Sequence, residues 1–343
     1  MVAIASARAG AMIHGMRRVT PALALFALAP LIGECLLGNL TVPEIGLLLP
    51  VLAPMYGGGA LLIREVTRRT RRGPATMLVL GVAYGLVEEG LADQMLFNRH
   101  YAGHDLMGDT YVPALGMGGW LTIVLLTMHA VWSTNVAIVL AESLVPERAE
   151  TPWLGRTGLA VTAVLFVGGS ALVGFGNYGE ERFLATPAQL LGTMAVVALL
   201  VIVAFRLGPR PPLEGTAPSP LLVGAVALVA AALFLQTEQP PGWWGAAAAA
   251  GLIVVTWAAV ARWSRRRGWD LRHRLALAGG ALLAYAGGGF TTSPESAPKQ
   301  GMDYVANAVL ATAAVILLTL AVRRQSAASR PRTEAGPRPS HRP

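Results

Sequence analysis

Glu88 and Glu89 stand side by side near the end of an otherwise apolar stretch, ATMLVLGVAYGLVEEGLA, that starts at Ala75. The stretch has the length and composition of a membrane-spanning helix. A carboxylate in hydrocarbon costs about 2.5–3.5 kcal/mol on insertion scales. Two adjacent ones therefore mark the first place to look for chemistry: activation of a water, ligation of a metal, or storage of a proton. His129 lies on the next apolar stretch, about 16 Å below its start near Gly118 at ~1.5 Å per residue. The glutamates lie at similar depth on their own helix. Sequential antiparallel helices usually pack together, so the two carboxylates and the imidazole are expected in one polar pocket that opens outward. Adjacent helix positions are about 100° apart, so the glutamates share an interior without sharing a direction. Gly81 and Gly85 precede them at four-residue spacing and permit close approach of another helix. Tyr84 shares a face with Glu88, and Ser133 follows His129 by one turn, with Trp132 beside it.

The elements that must position these groups are transmembrane helices. The 343 residues are 54% hydrophobic and 13% charged, and apolar runs near 20 residues recur along the chain. The short alternating segments of a membrane barrel are absent. Ten spans are predicted, at about 20–38, 44–63, 75–92, 118–144, 158–175, 187–206, 220–236, 245–263, 272–290 and 303–322. With boundary arginines given to the nearer loop, 24 of the 27 Lys and Arg fall at the N-terminus, in every second loop and in the C-terminal tail. Cytoplasmic loops are enriched in these residues. The expected fold class is thus all-α, a polytopic transmembrane helix bundle of about ten spans with both termini cytoplasmic, in the plasma membrane of a prokaryote. The same placement accounts for the net charge of +8 through a lipid bilayer, with no nucleic acid involved.

Four regions follow. Residues 1–19 form a cytoplasmic segment, with Met12 and Met16 as alternative starts. Residues 20–145 carry the intramembrane charge, Glu34, Glu88, Glu89, His129 and Glu142, and include an outer loop at 93–117. Residues 146–322 read as an apolar scaffold, with Asn177 and Asn307 its main polar groups. Residues 323–343, RRQSAASRPRTEAGPRPSHRP, are predicted to be a disordered basic tail. The first span lacks a small-residue cleavage site and carries Glu34 near its outer end, so it is expected to stay in place. Glu34 before Cys35 also opposes lipoprotein processing. A single cysteine excludes an intrachain disulfide. Glu65 is expected to pair along its helix with Arg68 and Arg69, and Glu142 to be interfacial. In the outer loop, His100 and His104 have the i,i+4 spacing of a zinc pair, with Asp93, Asp105 and Asp109 nearby. Gly103 weakens a helix there, and a solvated lid over the pocket is the expectation.

The pair Glu88-Glu89, followed by Leu125-x-x-x-His129, resembles the CAAX-protease and bacteriocin-processing family of intramembrane metallopeptidases. That family shows Glu-Glu-x-x-x-Arg, then Phe-x-x-x-His, then a later His-x-x-x-Asn. Here Asp93 stands in place of the Arg, Leu125 in place of the Phe, and no third motif follows. A wider resemblance runs over residues 28–155. The segments LAPLIGE, YGGGALLIRE, AYGLVEEGL, FN, HAVWS and PERAETPWLG look like a family of uncharacterised prokaryotic membrane proteins. It implies that Glu34, Tyr56, Arg64, Glu65, Glu88, Glu89 and His129 belong together, and implies no activity.

Two classes of function are open at this point. In the first, an intramembrane hydrolase cuts a membrane-associated peptide. Glu88 or Glu89 activates a water, while a divalent metal such as zinc is held by His129, Glu89 and Glu34. In the second, a non-enzymatic permease or structural protein uses the Glu pair as a protonatable site. Proximity of Glu34 to the trio would favour the enzyme.

Overall fold

A computed structural model describes residues 19–294 and 298–329. The expectations for the starts at Met12 and Met16 and for the last residues of the tail fall outside that range. Helices occupy each of the ten expected stretches. They are α1 (Val19–Cys35), α2 (Val42–Arg69), α3 (Pro74–Ala92), α4 (Gly119–Leu144), α5 (Arg156–Glu181), α6 (Pro187–Arg206), α7 (Pro220–Phe234), α8 (Trp243–Trp263), α9 (Leu271–Gly288) and α10 (Gly301–Ala328). Among the described residues, seven of these are long and apolar enough to cross a membrane: α2 to α6, α8 and α10. The helices α1 and α7 are apolar but shorter than the ~20 residues a bilayer core asks for. Helix α9 places Arg272 and Arg274 in its first turn. The non-helical part is small. A hairpin of two-residue strands, β1 (Tyr111–Val112) and β2 (Met117–Gly118), lies in the loop after α3.

The bundle is organised around α3 and α4. In their most apolar windows 67% and 56% of residues are buried, against 11% in both α5 and α6 and 17% in α8 and α10. An apolar helix so little covered by protein needs lipid around it, so the chain is a multi-pass membrane protein. Helix α3 packs between α6 and α4, α2 lies along α5, and α7 along α9. The α4–α9 contact is fixed by Trp132, stacked on Tyr285 at 4.3 Å between centroids, its indole donating to Ala281 O at 2.8 Å.

Close approach in the first half depends on glycine. A Cβ at Gly57 would meet Phe26 O at 2.2 Å, and one at Gly59 the Tyr84 ring at 2.4 Å. Helix α10 continues through Ala328, past the expected start of a disordered tail at Arg323. The run AVRRQSAA contains no breaker, and the Gln325 amide donates to Ser143 Oγ at 2.9 Å, anchoring that end to α4.

Candidate functional site

Among the described residues, α1, α3 and α4 each widen into a π-helical segment at one place. Each segment carries an expected site residue. Leu31–Cys35 holds Glu34, Glu88–Ala92 opens on the glutamate pair, and His129–Val136 opens on His129. Such i→i+5 turns are rare and concentrate at functional sites. In α3 the widened turn is closed by Asp93 N donating to Glu88 O at 2.9 Å. In α4 the sequence HAVWSTNV supplies its own support. Thr134 Oγ1 donates to the carbonyls of His129 and Ala130 at 3.0 and 2.9 Å, and Asn135 Nδ2 donates to Ala130 O at 2.7 Å. Side-chain donors thus cover the carbonyls where the wide turn begins.

The structure brings Glu88, Glu89 and His129 together. His129 Nε2 lies 2.6 Å from Glu89 Oε1, and Nδ1 lies 3.0 Å from Glu88 Oε2. The first contact is a hydrogen bond; the second is a close approach without hydrogen-bond alignment. Ser133 Oγ bonds Nδ1 at 3.2 Å. All four residues are buried. The rings of Tyr56 and Tyr84 each sit 5.9 Å from the imidazole. The Tyr56 hydroxyl donates to Glu34, which is only half-buried. The Tyr84 hydroxyl is buried and closes no hydrogen bond of normal geometry. Gly33 and Gly85 bring the helices this close: a Cβ on Gly33 would meet Ser133 Oγ at 2.8 Å, and one on Gly85 the His129 Cβ at 3.1 Å.

On the loop side of the trio, Leu96 and Phe97 join Leu86, Leu125 and Leu126 in an apolar cluster. Asp93 stands at the edge of this cap. Burial, reinforced by the charge of Glu89, pushes its carboxyl well above the usual range. His100 and His104 are exposed and share no helical face. The chain between them makes a 3₁₀ turn with Ala102 at φ 49°, and their zinc-pair spacing is not realised.

The expected metal set, His129, Glu89 and Glu34, does not fit the arrangement. Both imidazole nitrogens face carboxylates, and a metal needs the lone pair of one. Glu34 is engaged by Tyr56. Among the described residues no three His, Cys, Asp or Glu side chains converge as a metal requires. The metallopeptidase resemblance therefore gains no support, consistent with Asp93 in place of its Arg and the missing third motif.

Glu65 and Glu142 belong elsewhere, at the C-terminal ends of α2 and α4. Glu142 is not interfacial but buried, accepting from Arg64 Nε at 3.1 Å and from Arg68 Nε and Nη2 at 2.8 and 2.6 Å. Glu65 takes Arg64 Nη1 at 2.6 Å and the amides of Trp153 and Leu154 at 2.8 and 3.1 Å. Of the expected helical partners, Arg69 remains at 3.6 Å, while Arg68 turns to Glu142 and Glu150. Arg64 stacks over Trp153 at 3.3 Å and caps three loop carbonyls. The sequence showed no link from Arg64 to Trp153; the PERAETPW segment after α4 was the available signal.

The sequence profile of an uncharacterised membrane protein family matches residues 23–330. The chain belongs to that family. The match extends the resemblance seen over residues 28–155 into the second half, so both halves fall within the family. No curated protein and no solved structure matches this chain.

Proposed function

We propose that Glu88, Glu89 and His129 form an intramembrane proton-binding site in a non-enzymatic, permease-type membrane protein. The observation that carries this is the imidazole held between two buried carboxylates, at 2.6 and 3.0 Å. A neutral imidazole has one N–H and one bare nitrogen. With Nε2–H donating to Glu89, Nδ1 accepts from the Ser133 hydroxyl and still faces Glu88 Oε2 at 3.0 Å, which sets lone pair against lone pair where that repulsion is weakly screened. An additional proton relieves it, on Nδ1 or on Glu88. The trio therefore holds one proton more than a neutral histidine flanked by two carboxylates. Intramembrane carboxylates and histidines commonly serve such relays.

Infrared difference titration of the purified full-length protein tests this. Wild type should lose one buried proton as pH is raised, read as a change in the carboxyl and imidazole signals. Glu88→Gln, Glu89→Gln and His129→Ala should each alter that signal. Difference spectra identical in wild type and all three variants would sink the proposal.

We place this site in the outer half of a ten-span bundle with both termini cytoplasmic. The support is the positive-inside distribution of Lys and Arg. Reporter fusions after Arg72 and Arg267 should then read cytoplasmic, and one near His104 external. An external signal at Arg72 would invert the arrangement.

A further inference from the structure

We propose that the cleft between the C-terminal end of α8 and the loop joining α6 to α7 binds the phosphate headgroup of an anionic phospholipid. The site uses none of the residues of the trio.

The first observation is a cleft lined by unpaired cations. Its volume is about 390 Å³, within the ~300–1,000 Å³ of small-molecule sites. Arg262 and Arg265 enter it from α8 and Arg210 from the loop, with the small side chains of Ala258 and Ala261 also in its lining. Arg210 lies 5.4 Å from the ring of Trp257, which borders the same cleft. Among the described residues none of the three arginines pairs with a carboxylate. Glu214, on the same loop, is exposed and joins none of them. Arg64 and Arg68, by contrast, both meet Glu142. Three guanidiniums around one cleft call for an anion, and their planar forks of donors match phosphate oxygens in pairs.

The second observation is that the cleft is held in shape. The loop is folded onto the end of α8 by backbone hydrogen bonds from Leu213 N to Arg265 O at 2.9 Å, from Ala217 N to Arg267 O at 2.9 Å and from Arg267 N to Gly215 O at 3.2 Å. Arg265 Nε donates to Pro211 O at 2.7 Å, which leaves its Nη groups to a ligand. Pro209, Pro211 and Pro212 restrict the backbone on both sides of Arg210. The arginines are therefore gathered before a ligand arrives, which lowers the ordering cost of binding.

The setting selects a lipid over a soluble anion. Trp257, Ala258, Ala261, Arg262 and Arg265 recur at helical spacing, so they share one face of α8. Toward the middle of the helix that face continues through Val254, one turn before Ala258. Val254 and its neighbour Val255 are 63% and 68% exposed. Acyl chains lie along this apolar surface while the phosphate reaches the arginines at its end. A soluble anion gains nothing from that surface. Basic pockets at the cytoplasmic ends of membrane helices suit such headgroups, and the Lys and Arg distribution assigns both segments that form the cleft to the cytoplasmic side.

Thermal melting of the full-length protein in detergent tests the site in three arms: micelles doped with phosphatidylglycerol, micelles doped with phosphatidylcholine, and the latter with inorganic phosphate added. A rise of several degrees in phosphatidylglycerol over phosphatidylcholine is expected, as mass action requires for a ligand held only by the folded state. Inorganic phosphate should give no rise. The double variant Arg210→Gln/Arg262→Gln should lose most of the rise, and each single variant part of it. Its melting in phosphatidylcholine should match wild type, since neither guanidinium is tied to the protein by a carboxylate. The charge-matched Arg323→Gln/Arg324→Gln, exposed on α10, should keep the rise. Phosphatidylglycerol retained through purification, counted by mass spectrometry, gives the same comparison without reference to melting. Equal melting in the two lipids overturns the inference, as does equal retention by wild type and Arg210→Gln/Arg262→Gln. A rise that falls equally in both double variants reports general surface charge, and one produced by inorganic phosphate alone reports a soluble anion; either result also overturns it.

Discussion

Two clusters of buried charge share helix α4, and they are built on opposite plans. At the C-terminal ends of α2 and α4, four guanidiniums, Arg64, Arg68, Arg69 and Arg274, meet three carboxylates, Glu65, Glu142 and Glu150. Every carboxylate there has a guanidinium partner, Arg64 spends its donors on five acceptors, and its plane is covered by Trp153. At the π-helical turns, carboxylates outnumber the single imidazole, and Glu88 Oε2 faces His129 Nδ1 at 3.0 Å without an aligned hydrogen bond. A network whose charges are all paired acts as a clamp. An acidic one with a single imidazole is what the proposed proton site requires. Arg64, Glu65 and Glu142 are as buried as Glu88, Glu89 and His129, so burial alone does not separate the two clusters; the pairing of their charges does.

The comparison breaks most sharply on truncation. Arg64→Ala leaves Glu65 and Glu142 short of a buried partner, a change worth about 3–5 kcal/mol in soluble proteins. Loss of folded protein, or a melting transition lowered well beyond that of any single-site variant at the trio, is expected in detergent. Glu88→Gln should leave melting close to wild type, because the amide keeps size and adds donors beside a carboxylate-rich cluster. If Arg64→Ala is mild and Glu88→Gln abolishes folding, the roles assigned to the two clusters are reversed.

The sequence made one of these clusters far more legible than the other. Glu88, Glu89 and His129 could be found because charge inside an apolar run is conspicuous and because adjacent antiparallel helices place equal depths together. The π-helical turns could not. Widening by one residue depends on tertiary packing at Gly33 and Gly85 and on the Thr134 and Asn135 hydrogen bonds, none of which has a periodic signature. That widening is what lets two neighbouring glutamates reach both nitrogens of one ring. The arginine cluster was misread for a related reason. Helical spacing suggested local pairs for Glu65, whereas its partners include amides 88 and 89 positions away, at Trp153 and Leu154. Glu142 sits near a helix end, where an interfacial carboxylate is the ordinary outcome, and only the fold shows Arg64 and Arg68 closing over it. The ten helical stretches were legible from composition, but α1, α7 and α9 fall short on length or polarity for reasons only their boundaries reveal.

The smallest expected effect sharpens the same contrast through pH. Glu150, in the loop after α4, accepts from Arg274 Nη2 at 2.6 Å and from Arg68. Burial acts to raise its pKa, but the Arg274 hydrogen bond and the charges of Arg274 and Arg68 outweigh it and hold the carboxyl below its usual range. A carboxylate whose folded pKa is depressed adds stability that is present above its unfolded pKa, about 4.3 for glutamate. That stability is lost as pH falls through the lower folded value. The clamp should therefore loosen on acidification below about pH 4, and Glu150→Gln should flatten part of that loss while lowering stability slightly at neutral pH. The half-exposed position of Glu150 keeps the effect small, since solvent screens the pair. The proton site predicts a separate signal, indifferent to Glu150→Gln. Melting temperature followed from acid to neutral pH, in wild type and Glu150→Gln, checks the first half, and infrared titration of the same variant checks the second. A Glu150→Gln substitution that shifted the proton-site signal would mean the two clusters are coupled along α4 and are not independent devices.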